Sequence, residues 1–204
     1  NNSNALGDKI TPTRKIKKSE IEKYNLIDLP KVLNYVQGLD VTQSGPTGQQ
    51  SSLFMRGTNS NHTLVLMNGI PINDYSTPTG AHDMGQDFMF NVVQIDVYKG
   101  SSGAHWGADA VGGAINLRTT VDVDKRLNVS GNGNDKTISG NYYTRLNNFD
   151  ISVSAGQHKS ENVSALSGAD EKDGTNNKTI GVNVSKWYDL VHWRTSWFAR
   201  NTFT

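Results

Sequence analysis

The sequence predicts a mixed α/β module up to about Thr120, followed by an antiparallel all-β half. Two observations predict this division. Before Thr120 there is one helical period of apolar residues and one Asn-Gly hairpin signal, a combination typical of a small α/β unit. After Asp124 apolar and polar residues alternate with a period of two, which is the period of a β-strand with two different faces.

The composition limits the classes of function. The 204 residues are 35% hydrophobic and 19% charged, with a formal net charge of +1, which argues against nucleic acid as the main partner. Cysteine is absent, so neither a disulfide framework nor a thiolate metal site is available. No apolar run approaches the ~18 residues of a membrane helix. The N-terminus lacks the order of a signal peptide, so we expect either that the chain is not exported or that the signal has been removed.

Residues 1–18 are predicted to be a leader rather than part of the module. The first ten residues are polar and typical of a flexible segment. They are followed by a basic cluster, which we interpret as a solvated face. Its members are Arg14, Lys15, Lys17 and Lys18.

A helix is predicted in "IDLPKVLNYVQGLDV". Four apolar residues spaced i, i+3, i+4 and i+7 share one face. They are Leu29, Val32, Leu33 and Val36. Asp28 can cap the start beside Pro30, and Gly38 can end the helix. The Gly, Pro and Ser content of Thr42–Ser52 then predicts a loop.

The segment Thr63–Ile72 predicts a tight hairpin. Thr63–Met67 is the first strand, Asn68 and Gly69 supply the two positive-φ positions of the turn, and Ile70–Ile72 begins the return strand. Pro71 has no N–H to donate to a neighbouring strand, so we expect the return strand at a sheet edge.

A polar loop, Asn73–Gln86, leads to a further strand in "NVVQIDVYKG" and then to the glycine-rich "SSGAHWGADAVGGAINLRTT". The glycine-rich segment lacks the Gly-Lys-Ser/Thr ending of a phosphate loop, and no helical period follows it, so nucleotide binding is not predicted. Glycine here is better explained by positive φ and close packing.

In the second half, "NFDISVSAG" places Phe149, Ile151 and Val153 opposite Asp150 and Ser152, and "VHWRTSWFA" repeats the alternation. Short turns alternate with a long polar stretch, residues 159–178. That pattern is typical of an outer-membrane barrel, in which aromatic residues near strand ends would form girdles. The aromatic residues in question are Tyr142, Tyr143, Trp187 and Tyr188. A soluble β-sandwich with the same aromatics in its core explains the pattern equally well.

Three segments, in order, resemble the plug domain of TonB-dependent outer-membrane receptors between about Ser19 and Thr120. They are "LPKVLNYVQGLDVTQSG", "LFMRGTNSNHTLVLMNGIPIND" and "VVQIDVYKGSSGAHWGADAVGGAINL". Within the family, the Gln-Ser-Ser run before the Arg-Gly strand is most similar to the cobalamin receptors. Gly100-Ser101 and Trp106-Gly107 depart from the family's usual Gly-Pro and Tyr-Gly.

The resemblance implies an α/β plug domain (residues 19–122) followed by antiparallel transmembrane β-barrel strands (residues 123–204). It implies a barrel of about twenty-two strands, whereas residues 125–204 have room for about four to five. An open sheet edge cannot face lipid, so we expect this chain to be the N-terminal part of a longer receptor.

The resemblance also implies a function that is not enzymatic. Such a receptor lies in the bacterial outer membrane, with its plug exposed to the periplasm, and TonB drives the import of a scarce nutrient. We expect cobalamin or a related corrinoid, and the alternative is a ferric-siderophore receptor of the same fold. A soluble secreted β-rich binding module is the contrasting hypothesis, and nucleic acid is not an expected partner.

Substrate contacts are expected on the two plug loops that the resemblance places outermost. Their hydroxyl and amide groups can hydrogen-bond a large polar ligand, and one tyrosine offers an amphipathic ring. The expected contacts are Gln49, Gln50, Ser51, Tyr75, Ser76, Thr77 and Thr79.

Arg56 matches the family's plug arginine, which resembles one half of a charge cluster between plug and barrel. Lys99 takes the place of a second basic residue, and Asp96 is a nearby candidate carboxylate. Because a buried charge is tolerated only when it is paired, such a cluster could act as a releasable latch. A plain surface arginine is the alternative interpretation of Arg56.

Two further expectations concern the N-terminus and a loop. Residues Asp8, Lys9, Ile10 and Thr11 resemble the region where family members carry the segment that pairs with the C-terminal domain of TonB as an added strand. Asp170, Glu171 and Asp173 offer oxygen ligands at a spacing that Ca²⁺ could use, although a solvated acidic loop explains them as well.

Overall fold

The computed structural model describes residues 11–100, 106–119, 125–132, 134–161, 174–188 and 191–203. The chain divides into two units. The first comprises Asn1–Ser44 and Gln50–Thr119, and the second comprises Gly45–Gln49 and Thr120–Thr204.

The helices and strands of the first unit are short. In chain order they are β1 (Arg14–Lys17), α1 (Lys18–Lys23), α2 (Leu29–Asn34), β2 (Leu39–Gln43), β3 (Ser51–Met55), β4 (Thr63–Met67), β5 (Ile70–Pro71), β6 (Val92–Lys99) and β7 (Gly113–Thr119). Five of the strands form one sheet in the order β1-β6-β7-β4-β5, and β2 and β3 form a separate pair. In the larger sheet β4 and β7 are parallel, and the other pairs are antiparallel.

The predicted helix is confirmed as α2, although it ends two residues before the last residue of its apolar period, Val36. The Asp28 side chain accepts a hydrogen bond from the backbone N–H of Lys31 at 2.9 Å, as an N-cap does, and Pro30 lies in the first turn. The chain leaves the helix at Tyr35, and Gly38 has a positive φ of 78°. Val36 therefore joins the core from the turn after the helix rather than from its last turn.

The predicted hairpin is also confirmed. Asn68 and Gly69 have φ values of 53° and 85°, and β5 lies at the sheet edge, where Pro71 removes no needed donor. Side chains of β7 fix the turn. The backbone N–H of Gly69 donates to the side chain of Asn116 at 3.0 Å, and the Asn68 side chain exchanges two hydrogen bonds with Thr119.

Residues 14–17 depart from the predicted leader, because they form β1 and pair with β6 at the other edge of the sheet. Arg14, Lys15 and Lys17 are exposed, as expected for a solvated basic face, but Ile16 between them is buried. A single apolar residue anchors each of the charged segments β1 and α1, Ile16 and Ile21, and neither segment carries a periodic apolar signal.

Apolar residues cover both faces of the larger sheet. On one face, α1, α2 and β3 pack on it through a core that includes Leu29, Leu33, Met55, Ile95 and Leu117. On the other face lies a smaller cluster of Leu64, Leu66, Tyr98, Ala110 and Ala114, with Trp106 packed against it.

The second unit contains five long antiparallel strands, within the expected number. They are β8 (Arg126–Asn132), β9 (Asp135–Leu146), β10 (Phe149–Glu161), β11 (Gly174–Tyr188) and β12 (Val191–Phe203). Each strand pairs with the next in sequence, so the sheet order is β12-β11-β10-β9-β8. Asn147 and Asn148, with φ values of 48° and 64°, form the tight turn between β9 and β10.

The polarity of this sheet is the reverse of that in a soluble sandwich. In β11 the buried face carries Thr175, Asn177 and Ser185, and Asn177 is 0% exposed. On the opposite face Ile180 is 53% exposed. The aromatic residues Tyr142, Trp187 and Tyr188, which a sandwich would bury, are exposed. The sandwich interpretation is therefore wrong, and an apolar outer face with a polar inner face is the pattern of a barrel wall.

Apolar residues on the outer face of neighbouring strands are in register. Val153 pairs with Val182 and Tyr142, and Val182 pairs with Trp197, so one apolar band crosses four strands. Among the described residues, no helix is long and apolar enough to cross a membrane.

Candidate functional site: a polar cleft and a buried ion pair

The loop that follows β5 is tied to the sheet by one buried asparagine. The Asn73 side chain accepts from the backbone N–H of Val65 at 2.8 Å and donates to the carbonyl oxygens of Thr63 and Gly80, at 3.4 and 3.1 Å. One side chain thus connects strand β4 with both ends of the loop Asn73–Gly80, whose exposed residues project from a fixed base.

Residues 74–77 form a turn stabilised by a carboxylate. Asp74 accepts hydrogen bonds from the hydroxyl of Ser76 at 2.6 Å and from its backbone N–H at 2.9 Å. These bonds favour the charged form and hold the pKa of Asp74 below its ordinary value of 3.8. Tyr75, Ser76 and Thr77 are all exposed, and the hydroxyls of Ser76 and Thr77 are both engaged within the turn, since Thr77 donates to the carbonyl oxygen of Asp74 at 2.9 Å.

A second loop meets the first across a cleft. Ala110 is fully buried in the apolar cluster beneath, which fixes the adjacent Asp109 at the surface. The Tyr75 hydroxyl donates to the Asp109 carboxylate at 3.1 Å, and this hydrogen bond raises the pKa of Tyr75. The cleft between the loops has a volume of about 430 Å³. Its lining residues are Asn61, His62, Tyr75, Thr77, Pro78, Thr79, Gly80, Ala108 and Asp109.

The structure therefore brings together three of the predicted contacts, Tyr75, Thr77 and Thr79, on one polar cleft large enough for part of a ligand. Ser76 lies beside them but does not line the cleft.

The other predicted contacts lie elsewhere. Gln49 and Gln50 belong to the connection between β2 and β3, and neither lines the cleft. Ser51 is 1% exposed, and its backbone N–H donates to the side chain of Asp83 at 2.9 Å. A buried first residue of β3 is not available to a ligand in this structure, which corrects the expectation for Ser51.

The candidate latch residues also separate. Asp96 is completely buried, and its carboxylate pairs with the Arg118 guanidinium and accepts from the Gln94 amide at 2.6 Å. Burial alone would lower the pKa of Arg118, but hydrogen bonds with Asp96 and Tyr98 raise it overall. Asp96 thus has its main cationic partner on the neighbouring strand β7.

Arg56 and Lys99 have different neighbours. The ammonium group of Lys99 donates to the backbone carbonyl of Gln37. Arg56 is exposed and adopts a left-handed φ of 54° before Gly57, and no described residue forms an ion pair with it. Its expected role in a latch stays a prediction, because that role concerns a barrel carboxylate.

The remaining predicted sites fall mostly outside the described residues. This applies to Asp8, Lys9 and Ile10 of the coupling segment and to Asp170, Glu171 and Asp173 of the calcium prediction. Thr11 is described, and it is exposed. Across the described ranges, no group of three or more His, Asp or Glu side chains is arranged to hold a metal ion.

Sequence reasoning missed Asp109, Asn61 and His62 in the cleft and Arg118 beside Asp96. The alternation of β7 could have identified Arg118 as a residue on the same face as Asn116. Asp109 lies in a segment whose sequence signal is dominated by glycine, and no local feature of that segment indicates contact with Tyr75.

Comparisons with known proteins agree with this architecture. Residues 6–114 match the family described as TonB-dependent Receptor Plug Domain. Solved structures similar to the chain include the ferric enterobactin receptor PfeA of Pseudomonas aeruginosa, a mutant in complex with enterobactin, with a TM-score of 0.71 and 19% identity over 95% of this chain and 34% of that one. The siderophore receptor PiuA of Acinetobacter baumannii is similar with a TM-score of 0.71 and 24% identity, over 92% of this chain and 26% of that one.

The ferric yersiniabactin uptake receptor FyuA of Yersinia pestis gives a TM-score of 0.69 and 18% identity over 98% of this chain and 32% of that one. This chain therefore spans about a quarter to a third of the length of these structures. At these identities the likeness shows the fold, which is a plug domain followed by strands of a partial barrel.

Proposed function

The chain belongs to the TonB-dependent receptor plug domain family, and on that basis we propose that the complete protein is an outer-membrane receptor that imports a ferric siderophore. The observation that carries the proposal is the set of solved structures with this fold, which includes receptors for ferric enterobactin and ferric yersiniabactin. These relatives favour a ferric chelate over the corrinoid that the Gln-Ser-Ser run suggested, and the cobalamin assignment has no support among them.

The cleft beside Tyr75 supports a role in ligand binding. A siderophore complex is large and rich in oxygen atoms, and the hydroxyl of Thr79 and the amide of Asn61 can hydrogen-bond such a ligand. The Thr77 hydroxyl already donates to Asp74 and accepts from Gly80, so it can only accept one further hydrogen bond. The Tyr75 ring can pack on the apolar parts of the ligand. Because Asn73 fixes the base of the loop, these groups are held in place before the ligand arrives, which reduces the ordering cost of binding.

The second unit supports a location in the outer membrane. Its exposed face is apolar and its buried face is polar, which suits strands between lipid and a filled barrel interior. Lipid contacts would be made by the apolar band of Val153, Val182 and Trp197.

Energy would enter through the N-terminal segment. In this mechanism Asp8–Thr11 pairs with the C-terminal domain of TonB in the periplasm as an added strand. The next element along the chain is β1, an edge strand with four paired residues and one buried side chain, Ile16. A pull along the backbone would reach this short ladder first, and rearrangement of the plug would then open a path through the barrel.

Three further assignments belong to this proposal. Arg56 would pair with a barrel carboxylate to hold the plug until the pull arrives. Gln49 and Gln50 would contact ligand from a second plug loop. Asp170, Glu171 and Asp173 would bind Ca²⁺ on the loop between β10 and β11.

The test is a titration of the full-length receptor, in detergent micelles, with a panel of ferric siderophores and with cyanocobalamin. The proposal expects at least one ferric chelate to bind with submicromolar affinity and cyanocobalamin to bind at least a hundredfold more weakly. Tight binding of cyanocobalamin with no binding of any chelate would overturn the proposed substrate and favour the corrinoid.

A further inference from the structure

Every formal charge among the described residues that line the cleft is negative. Of its lining residues only Asp109 carries a formal charge at neutral pH with histidine neutral, and none of the described lining residues is a lysine or an arginine. Asp74 adds a second carboxylate at the turn beside the cleft. Asp109 is exposed, and no described cation forms an ion pair with it, so its charge is available to a ligand.

The Asp109 carboxylate lies on an anchored turn. Asp109 lies in a short turn anchored by the buried Ala110, and its carboxylate accepts a hydrogen bond from Tyr75. A ligand that contacts the Tyr75 ring would therefore also lie close to the carboxylate.

The net charge of a ferric chelate depends on the charges of the donor groups that bind the iron. Three hydroxamates, each with one negative charge, neutralise Fe³⁺ and give a complex of zero net charge. Three catecholates, each with two negative charges, give a complex of charge −3. A fixed carboxylate repels the second kind and is indifferent to the first.

We propose that Asp109, held by Tyr75, is a specificity-determining residue that makes the receptor select neutral or cationic ferric hydroxamate complexes over anionic catecholate complexes. This inference rests on the proposed function, because it names the ligand subclass of the same cleft. It also separates the protein from its structural relative that binds enterobactin, with which it shares the fold at 19% identity.

The magnitude follows from Coulomb's law. One carboxylate about 8 Å from a charge of −3, with the dielectric constant of water, weakens binding about tenfold, and the effect falls as salt screens it. A neutral complex at the same place loses nothing.

The experiment measures the affinities of a neutral ferric trihydroxamate and a ferric triscatecholate for the full-length receptor at low and high salt. Asp109→Asn keeps an oxygen that accepts from Tyr75 and removes the charge. We expect it to tighten triscatecholate binding about tenfold at low salt and less at high salt, and to leave trihydroxamate binding unchanged. Asp40→Asn, which removes an exposed carboxylate of β2 outside the cleft, is the matched control and should change neither affinity.

The possible failures differ from one another. A wild-type receptor that prefers the triscatecholate, or an Asp109→Asn variant with an unchanged ratio of affinities, overturns the charge selection while leaving the proposed function in place. A receptor that binds neither of these two chelates but binds another ferric siderophore overturns this inference alone, whereas a receptor that binds no ferric siderophore overturns the proposed function as well.

Discussion

Replacing Arg118 with methionine should open the sheet of the first unit locally, because it leaves a charge buried without its partner. Asp96 is 0% exposed, and its carboxylate is paired with Arg118 and bonded to the amide of Gln94. Methionine keeps the unbranched apolar stem of arginine but supplies no cation.

The expected cost follows from the burial of each partner. Removing one partner of a buried ion pair costs about 3–5 kcal/mol. The Arg118 side chain is 40% exposed, and Gln94 still donates to the carboxylate, so we expect the lower end, about 3 kcal/mol. That cost corresponds to about a hundredfold increase in local opening.

Hydrogen exchange of the β6 amides, residues 92–99, in the full-length receptor measures this opening. Arg14→Met is the matched control, because it removes the guanidinium from an exposed pair with Glu20 in the same sheet, where we expect less than about 1 kcal/mol. The double variant Asp96→Asn with Arg118→Met removes the uncompensated charge and should recover about 2 kcal/mol of the loss. Equal exchange in the Arg118 and Arg14 variants, or faster exchange in the double variant than in Arg118→Met, would show that the unpaired Asp96 charge does not control the opening.

Four other perturbations have defined outcomes. Gly113→Ala should cost more than about 3 kcal/mol in thermal or denaturant unfolding, because a Cβ would lie 2.2 Å from a backbone carbonyl oxygen, whereas Gly57→Ala, which meets nothing within 4 Å, should cost about 1 kcal/mol. Asn73→Ala leaves the buried Val65 N–H without its acceptor and should cost about 2 kcal/mol and weaken chelate binding in a titration. Val182→Arg places a charge in the exposed apolar band and should reduce the fraction of receptor assembled in membranes, at a cost of about 2–4 kcal/mol, and normal assembly would count against a lipid-facing band. The carboxylate of Asp74 has a lowered pKa, so its support of the turn is complete above pH 3.8 and disappears as the pH falls through the lowered value; Ser76→Ala should raise that pKa toward 3.8 in an NMR titration of the carboxyl carbon.

Local chemistry made part of the fold predictable. The Asn68-Gly69 turn, the Asp28 cap and the Asn147-Asn148 turn each combine a residue type with a backbone conformation that few other residues adopt, so each could be located from the sequence. The long strands β10 and β12 were visible because a period of two persists over their length.

The elements that were missed depend on contacts distant in sequence. β1 and α1 contain one buried apolar residue each, Ile16 and Ile21, and they are ordered by the sheet on which they pack. Alternation in β10 could identify two faces but not which one is buried, and only the structure showed that the serine face is inside.

The candidate site was only partly predictable, because some of its residues meet through contacts distant in sequence. The hydroxyl groups of the loop bearing Tyr75, Thr77 and Thr79, and its place in the family resemblance, predict a binding loop. Asp109, which is 34 residues further along the chain, joins them only because the fold brings the two loops together. Arg118 likewise meets Asp96 through the pairing of β6 with β7.

Uptake of radioactive iron would show whether the proposed receptor carries a ferric chelate into the cell and needs TonB to do so. Cells that produce the full-length receptor would be given the ⁵⁵Fe-loaded chelate that binds tightest in the titration, with TonB present or deleted. An energy-coupled receptor should bind the chelate at the surface of both strains and accumulate iron inside the cell only with TonB. Equal accumulation without TonB, or binding that never leads to accumulation when TonB is present, would rule out the proposed function.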